Sequence, residues 1–363
     1  MTVTLTINGR KVEAAEGSTI LEAAHQAGIR IPTLCHHPDL SNVGACRMCV
    51  VSVEKARGLQ TACTTPAAEG MVVDTESEEA RQTRRFVLEM LLTDHPNDCM
   101  KCESNGSCEL QDLVYEYGVE WPEHGGARHS YEVNPDPNPF IFIDRNKCIL
   151  CGRCVRACAE VQNRSVWSFA FRGFKSKLVA GADQPILDAR CESCGQCVAY
   201  CPVGALYDKM SVGAGRASQV KKVRTTCPYC GVGCNFDLNV RDGRVVRVTS
   251  APDAPVNGMT LCVKGRYGYD YIHHSDRLTR PRVRKYLLDG RPRGGDRGEW
   301  VEVDWDTALE ITTRKLRETR DTHGSDSVGV LTSSKCLNEE NYLMNKLARQ
   351  VIGTNNIDHC ARL

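Results

Sequence analysis

No run of eighteen apolar residues occurs in this 363-residue chain, which excludes a transmembrane helix. An excess of one charge is also missing: 46 Lys and Arg face 45 Asp and Glu, a net of +1. That balance gives no reason to propose nucleic acid or an anionic membrane as a partner. The amino end, Met1-Thr-Val-Thr-Leu-Thr-Ile-Asn-Gly-Arg10, alternates like a strand and has neither the basic nor the apolar region of a signal peptide. Secretion is not expected, and a cytoplasmic location is.

What the sequence does have is cysteine. Twenty-one cysteines, an odd number in a chain with no export signal, do not suit a disulfide framework, which wants an even count and an oxidising compartment. Metal ligation is the expected role. The length allows two or three domains on its own, and the cysteines fall into separate blocks.

Residues 1–78 read as a small mixed domain. Thr4–Ile7 is a strand, Asn8-Gly9 a two-residue hairpin signal, and a second strand follows around Lys11–Glu13. Thr19-Ile-Leu-Glu22 is a capping box opening a helix that Gly28 is placed to stop. Strand, turn, strand, helix and a cysteine-bearing loop make a β-grasp-like unit. Residues 79–118 form a helix from Glu79 to about Leu92 and a second cysteine block. A connector rich in Pro and Gly follows, from Trp121 to Gly126 and from Asn134 to Pro139, and reads as a boundary. Residues 138–211 hold an internal repeat, and Ser211–Lys222 reads as the next linker. Residues 222–278 carry a fourth block with strands at Phe236–Val240 and Val245–Thr249 around a turn at Asp242-Gly243. In 279–363, helix Asp306–Arg320, strand Ser327–Leu331 and helix Asn338–Val351, ended by Gly353, read as the start of an α/β layer.

Block one is Cys35, Cys46, Cys49 and Cys63, four thiolates on a loop where Gly44 and Ala45 permit close backbone approach. A two-iron cluster is expected; a zinc site or core thiols are the alternative. Block two is His95, Cys99, Cys102 and Cys108. Three cysteines leave one position that a neutral imidazole can fill, as a four-iron cluster or as structural zinc. In block three, Cys148, Cys151, Cys154 and Cys158 recur with the same spacing as Cys191, Cys194, Cys197 and Cys201, followed by Pro202. In the bacterial ferredoxin run the fourth cysteine ligates the other cluster. One four-iron cluster therefore takes Cys148, Cys151, Cys154 and Cys201, and the other takes Cys191, Cys194, Cys197 and Cys158. Block four is Cys227, Cys230, Cys234 and Cys262. Its spacing alone does not choose iron–sulfur over zinc, and its neighbours favour a fifth cluster. Only Cys336 and Cys360 are left over, and both are expected to be inert thiols. Such a set of centres makes a one-electron conduit rather than a catalyst.

Residues 1–211 resemble the amino-terminal half of the large iron–sulfur subunit of respiratory complex I, through His95-Pro-Asn-Asp-Cys99 and Cys108-Glu-Leu-Gln-Asp112. Residues 224–363 resemble the start of a molybdenum or tungsten bis-pterin guanine dinucleotide oxidoreductase, through Cys227-Pro-Tyr-Cys230-Gly-Val-Gly-Cys234, Cys262-Val-Lys264-Gly265 and His274–Pro281. Ser333–Tyr342 and Gly353–Leu363 are similar to catalytic subunits of cytoplasmic formate dehydrogenases.

The resemblance implies a multidomain α+β chain. It would comprise a β-grasp 2Fe-2S ferredoxin, a His-ligated 4Fe-4S helical module and a bacterial-type 2[4Fe-4S] ferredoxin. The 4Fe-4S domain and incomplete α/β start of a molybdopterin oxidoreductase would follow. It also implies formate as substrate and flavin- and iron–sulfur-containing NAD-reducing subunits, or a hydrogenase module, as partners. Lys264 matches the family's lysine between cluster and pterin, where a cation suits two anionic neighbours. Lys335 and Asn338 lie in a strand-to-helix turn where the pterin nucleotide could be gripped, with a helix cap the alternative for Asn338. In formate dehydrogenases the residue following Ala-Arg-Leu is the metal-bound selenocysteine or cysteine. The reading frame is therefore expected to continue past Leu363 through a UGA read as selenocysteine, and the chain as given to be inactive toward formate. The rivals are a non-catalytic electron-transfer subunit of complex I type and another bis-pterin enzyme such as a nitrate reductase.

Overall fold

The computed structural model describes residues 1–119, 122, 125–291 and 298–361. Trp121, at the head of the expected connector, and the terminal Arg362-Leu363 lie outside the described residues. The chain divides into two compact units. The first is Met1–Val223 with Asp237–Pro252 and Met259–Tyr267; the second is Arg224–Phe236, Asp253–Gly258 and Gly268–Leu363.

In the first unit, strands β1 (Thr2–Ile7) and β2 (Arg10–Ala15) form a hairpin turned by Asn8 and Gly9, both at positive φ (50° and 77°). That pair is what a two-residue type I′ turn demands. Helix α1 (Ile20–Gln26) opens on the expected capping box: the Thr19 hydroxyl accepts from the Glu22 N–H, and the Glu22 carboxylate accepts from the Thr19 N–H at 2.7 Å. Strands β3 (Val50–Val53), β4 (Gln60–Thr61) and β5 (Val72–Asp74) complete a sheet of order β2-β1-β5-β3-β4, with β1 and β5 parallel. Leu5 and Ile7, two apart on β1, point to the same face and pack with Ile20, Ala23 and Ala24 of α1. Strands β3 to β5 are too short to show a period in sequence, so only the hairpin and helix of this sheet are legible beforehand.

Helix α2 (Glu78–Asp94) is capped by the Ser77 hydroxyl. It drives the fully buried Arg84 against the sheet, where the guanidinium donates to the carbonyls of Val50 (2.7 Å) and Thr75 (2.8 Å) and to the Tyr117 hydroxyl (2.9 Å). Helix α3 (Glu109–Glu116) packs with α2 around Leu88, Leu92, Leu110 and Leu113.

The internal repeat folds as paired short elements. These are β6 (Ile141–Ile143), α4 (Arg153–Arg156) widening into a π turn over Ala157–Val161, β7 (Trp167–Ala170), β8 (Lys177–Ala180), α5 (Gln196–Ala199) and β9 (Leu206–Asp208). β6 pairs with β9 and β7 with β8, both antiparallel. Gly152 and Gly195, each directly after a cysteine and each at left-handed φ (71° and 72°), start the two helices. The Asn134–Pro139 stretch, expected as a boundary, is held by side-chain hydrogen bonds. Asp136 and Asn138 are buried; the Asp136 carboxylate accepts from the Ile186 N–H and the Asn138 amide donates to the Ser193 hydroxyl. Prolines there fix an extended path that side-chain hydrogen bonds hold onto the repeat.

Strand β10 (Lys221–Thr226) begins inside the expected linker, and β11 (Asn235–Arg241) turns through Asp242-Gly243 into β12 (Arg244–Ser250). Helix α6 (Val263–Tyr267) closes the first unit.

In the second unit, β13 (Arg282–Arg284) leads into α7 (Lys285–Leu288) and pairs antiparallel with β14 (Trp300–Glu302). Helix α8 (Trp305–His323) starts at Asp304, whose carboxylate accepts from the Thr307 N–H. It buries Ile311 alone and leaves Trp305, Leu309 and Leu316 exposed. β15 (Val330–Thr332) and β16 (Ile357–His359) are parallel, joined through α9 (Asn338–Lys346) and a π turn, Leu347–Ile352, that Gly353 ends at φ 85°. The expected continuous helix to Val351 therefore changes pitch at Leu347. No helix of the described residues is long and apolar enough to cross a membrane.

Candidate metal centres

The four cysteines of block one come together at the edge of the first sheet. The Cys35 and Cys46 backbone N–H groups donate to each other's Sγ at 3.3 and 3.4 Å, and the Cys49 and Cys63 sulfurs are 3.3 Å apart. One thiol of each pair is held low. The Cys46 thiol, with the N–H groups of Cys46 and Ala45, brings Cys35 down to about 5, and the Cys49 thiol lowers Cys63. Gly44, at φ 60°, turns its N–H toward Cys63. Backbone donors aimed at sulfur are what an anionic thiolate cage needs.

His95, Cys99 and Cys108 line a cavity of about 500 Å³ between α2 and α3, walled by Leu92, Leu110, Val114 and Val119. Burial holds the His95 imidazole below its ordinary value and therefore neutral, the form that ligates metal. Burial raises Cys102 and pushes Cys108 up to about 11. Cys102 is approached from the repeat: a Cβ on Gly204 would stand 2.6 Å from its sulfur, so the chain passes there only as glycine. Lys147, nearly buried, sets its Nζ 3.1 Å from Asp144 and 3.8 Å from Asp98 beside this site.

In the repeat, Cys148, Cys151, Cys154 and Cys201 line one small pocket. The charges felt by Cys154 come first from Cys148, Cys151 and Cys201; those felt by Cys197 come from Cys194, Cys191 and Cys158. The fourth cysteine of each half thus lies with the other half's three. Burial pushes Cys148 and Cys201 up to about 11 and Cys151 to about 12, so ligation releases protons. Among the described residues no three His, Cys, Asp or Glu side chains converge as one metal ion requires. The blocks also adjoin: one apolar core packs Cys46, Cys108, Cys148 and Cys201 with Leu34, Met48, Val203 and Ala205.

Cys227, Cys230 and Cys234 lie in the second unit on one loop, closed by the Cys227 N–H donating to the Cys234 carbonyl at 2.8 Å. Cys262 and Lys264, both exposed, belong to the first unit. Within the second unit, Cys230, Gly231, Lys335, Asn338, Asn341, Asn345 and Arg349 line a polar cavity of about 740 Å³. Asn338 is not the helix cap; Leu337 holds that place. The Asn338 amide instead donates to the Gly231 carbonyl at 2.8 Å, next to Cys230, from the cavity wall. Asn341, Asn345 and Arg349 recur at a helical spacing of four, a polar stripe legible in the sequence but not singled out. Cys336 lines the same cavity. Cys360 departs from the inert reading: it is exposed, and the Ser333 and Ser334 hydroxyls, 3.3 and 3.6 Å from its sulfur, bring its thiol down to about 7.

Sequence reasoning also missed the buried arginines. Arg153 forks onto Glu109 at 2.6 and 2.8 Å, and Arg156 donates to the carbonyls of Cys35, Ser41 and Cys151. Two arginines shortly after a cluster cysteine were the available signal.

The class that this fold and these sites define is a multidomain iron–sulfur protein running into a molybdopterin oxidoreductase domain, and family models match it in that order. Residues 1–78 match a 2Fe-2S iron-sulfur cluster binding domain, and 84–122 the NADH-ubiquinone oxidoreductase-G iron-sulfur binding region. Residues 138–207 match the ferredoxin-like domain of NADH-quinone oxidoreductase subunit 3. Residues 220–274 match the molybdopterin oxidoreductase Fe4S4 domain, and 277–363 molybdopterin oxidoreductase itself. The cofactors of these domains are a 2Fe-2S cluster, 4Fe-4S clusters and a molybdopterin.

Among particular proteins, the chain is 38% identical over 361 residues to the NADPH-Fe(3+) oxidoreductase subunit alpha of Geobacter sulfurreducens, covering 99% of this chain and 40% of that one. It is 30% identical over 397 residues to a Staphylococcus aureus protein provisionally named a formate dehydrogenase, covering 99% of this chain and 39% of that one. The chain thus spans about two fifths of the length of the curated relatives it matches. A solved chain from an NAD+-reducing [NiFe]-hydrogenase in the H2-reduced state aligns with a TM-score of 0.54 and 35% identity, over 57% of this chain and 87% of its own.

Proposed function

We propose that this chain is the electron conduit and the first part of the pterin domain of a cytoplasmic formate dehydrogenase. The observation that carries the reading is the shared apolar core, which packs cysteines of blocks one, two and three against one another. The cysteines of the three blocks thus adjoin within one core, with the buried Arg153, Arg156 and Lys147 among them. In this reading Cys35, Cys46, Cys49 and Cys63 hold the two-iron cluster. His95, Cys99, Cys102 and Cys108 hold a four-iron cluster, the crossed sets of the repeat hold two more, and Cys227, Cys230, Cys234 and Cys262 hold the fifth. When bound, the metal–pterin group would supply the chemistry that takes two electrons and a proton from formate, leaving carbon dioxide.

The chain's own side chains hold and steer. Lys335, Asn345 and Arg349 offer donors to an anionic nucleotide in the cavity, while the Asn341 amide is given to the Ser333 and Leu337 carbonyls. Asn338 ties that cavity's wall to the loop of Cys230, and Lys264, two residues after Cys262, would supply a cation to an anionic cluster and pterin. Flavin- and iron–sulfur-containing NAD-reducing subunits are the proposed electron acceptor, with a hydrogenase module the other candidate. The likeness to a chain of an NAD+-reducing hydrogenase supports a multisubunit partner of this kind.

Metal analysis with formate-dependent viologen reduction, on the native gene product purified anaerobically, tests the reading. About eighteen irons per chain, with one molybdenum or tungsten and formate activity, is the expected result. Iron at that level without molybdenum, tungsten or activity overturns formate oxidation. It favours the second reading, an electron-transfer subunit of complex I type, which the matches over 84–122 and 138–207 support.

A further inference from the structure

The two halves of the ferredoxin repeat agree in spacing but not in charge. After Cys151 come Arg153 and Arg156, both buried, and the Arg156 guanidinium donates to the Cys151 carbonyl at 3.3 Å. After Cys194, at the corresponding places, come Gln196 and Ala199. At these two places the second half brings no arginine to the group of Cys191, Cys194, Cys197 and Cys158, and Arg190, just before Cys191, is exposed.

Arg266 stands there instead, from outside the repeat but within the same compact unit. Its Nε donates to the Cys194 carbonyl at 3.0 Å, the counterpart of the Cys151 carbonyl that Arg156 holds. Its Nη2 donates to the Gln196 side-chain oxygen (3.2 Å) and the Ser250 hydroxyl (3.1 Å), so it is seated on the residue that replaces Arg153. The side chain is 3% exposed.

The fit is tight on one half only. A Cβ on Gly195 would lie 2.3 Å from Arg266 Cδ and 2.4 Å from the Tyr267 hydroxyl, whereas one on Gly152 would meet nothing nearer than Phe169 at 3.5 Å. The Tyr267 hydroxyl, next along the chain, is buried with no hydrogen-bond partner and has Cys194 and Cys197 among its charged neighbours. An orphaned O–H beside two cluster cysteines fits a donor waiting for sulfur.

We infer that Arg266 is a positioning residue that supplies the cation for the cluster of Cys191, Cys194, Cys197 and Cys158, raises its reduction potential, and pins the Cys262-bearing loop to it. The inference rests on the conduit reading above. Reduction adds one electron to the cluster and exchanges no atom. A buried positive charge stabilises the more negative, reduced form, and net charge and hydrogen bonding are what set such potentials.

The test is an EPR-monitored redox titration of the full chain, purified anaerobically, in wild type, Arg266→Gln, Arg266→Lys and Cys194→Ser. The signal missing from Cys194→Ser identifies the cluster. Arg266→Gln should lower the midpoint of that signal by about 60 mV, a tenfold change in a one-electron equilibrium, while the other signals stay in place. Arg266→Lys, which keeps the charge, should restore most of the shift. An unchanged midpoint in Arg266→Gln, or an equal shift in both variants, overturns the role of Arg266. If Arg266→Gln loses iron, Arg266→Gln/Gln196→Arg is read instead: iron and midpoint regained support the inference, and neither regained overturns it. If Cys194→Ser removes no signal, the conduit reading itself fails, which is a separate result.

Discussion

Replacing Arg156 by methionine keeps the apolar stem and removes every donor from a side chain that ties two cluster loops together. The buried guanidinium donates to the Cys35 and Ser41 carbonyls in the first loop and to the Cys151 carbonyl in the third block. Cys35 and Cys151 are themselves buried. Each buried acceptor left without a donor costs about 1–3 kcal/mol. Removing a desolvated guanidinium returns part of that cost, so a net loss of about 3 kcal/mol follows. It should fall on the segment from Cys35 to Ser41 rather than on the whole chain. Glu160 still accepts from the Ser41 N–H at 2.8 Å, and the Tyr200 hydroxyl still donates to Asp39 at 2.8 Å, so the loop loosens without leaving. Native-state hydrogen exchange read by mass spectrometry is the direct assay, because it reports local opening. Amides of 35–41 should exchange about 100-fold faster, since 1.4 kcal/mol is a factor of ten. The β1–β2 hairpin should keep its protection. Unchanged exchange over 35–41, or an equal rise throughout the first unit, would refute the reasoning.

Gly204→Ala puts a methyl 2.6 Å from the Cys102 sulfur. It should cost about 1–3 kcal/mol by overpacking and release the iron of the second block, seen as a loss of about four irons per chain; full iron retention would show that the contact yields. Burial raises the Asp208 carboxyl to about 6, only partly offset by the Met210 N–H, so the folded state holds its proton more tightly than the unfolded chain at about 3.9. Stability is then highest below about pH 4 and is lost as pH rises toward 6, on the order of 2–3 kcal/mol from this group. Denaturation midpoints of Asp208→Asn should lack that fall, and an identical pH profile in both proteins refutes it. Cys360 should be alkylated by iodoacetamide well before Cys336, half-maximally near pH 7, because neighbouring hydroxyls favour its thiolate; a half-point near 9 contradicts this.

Local spacing carries local chemistry. The Asn8-Gly9 hairpin, the Thr19–Glu22 capping box, the Asp242-Gly243 turn and the doubled cysteine run each depend on residues a few positions apart, and each stands in the structure where the sequence puts it. The short strands β3 to β9 escape because elements of two to four residues have no measurable period. The proline-rich stretch before the repeat reads as a boundary from composition, but that Asp136 and Asn138 are buried there depends on partners far along the chain.

By itself, then, the sequence determined which side chains are available to bind metal, their spacing, the order of the domains, and the absence of an apolar run long enough to span a membrane. Tertiary structure decided what surrounds each site. Arg156 reaches Cys35 across 121 residues and Arg266 reaches Cys194 across 72. Asn338 reaches Gly231 across 107, turning an apparent helix cap into a strut between a cavity wall and a cysteine loop. Such pairs are set by chain packing, which brings together residues that no local rule relates. The charge and hydrogen bonds that tune a cluster come from those distant partners, while the ligands themselves sit in short runs that can be read directly.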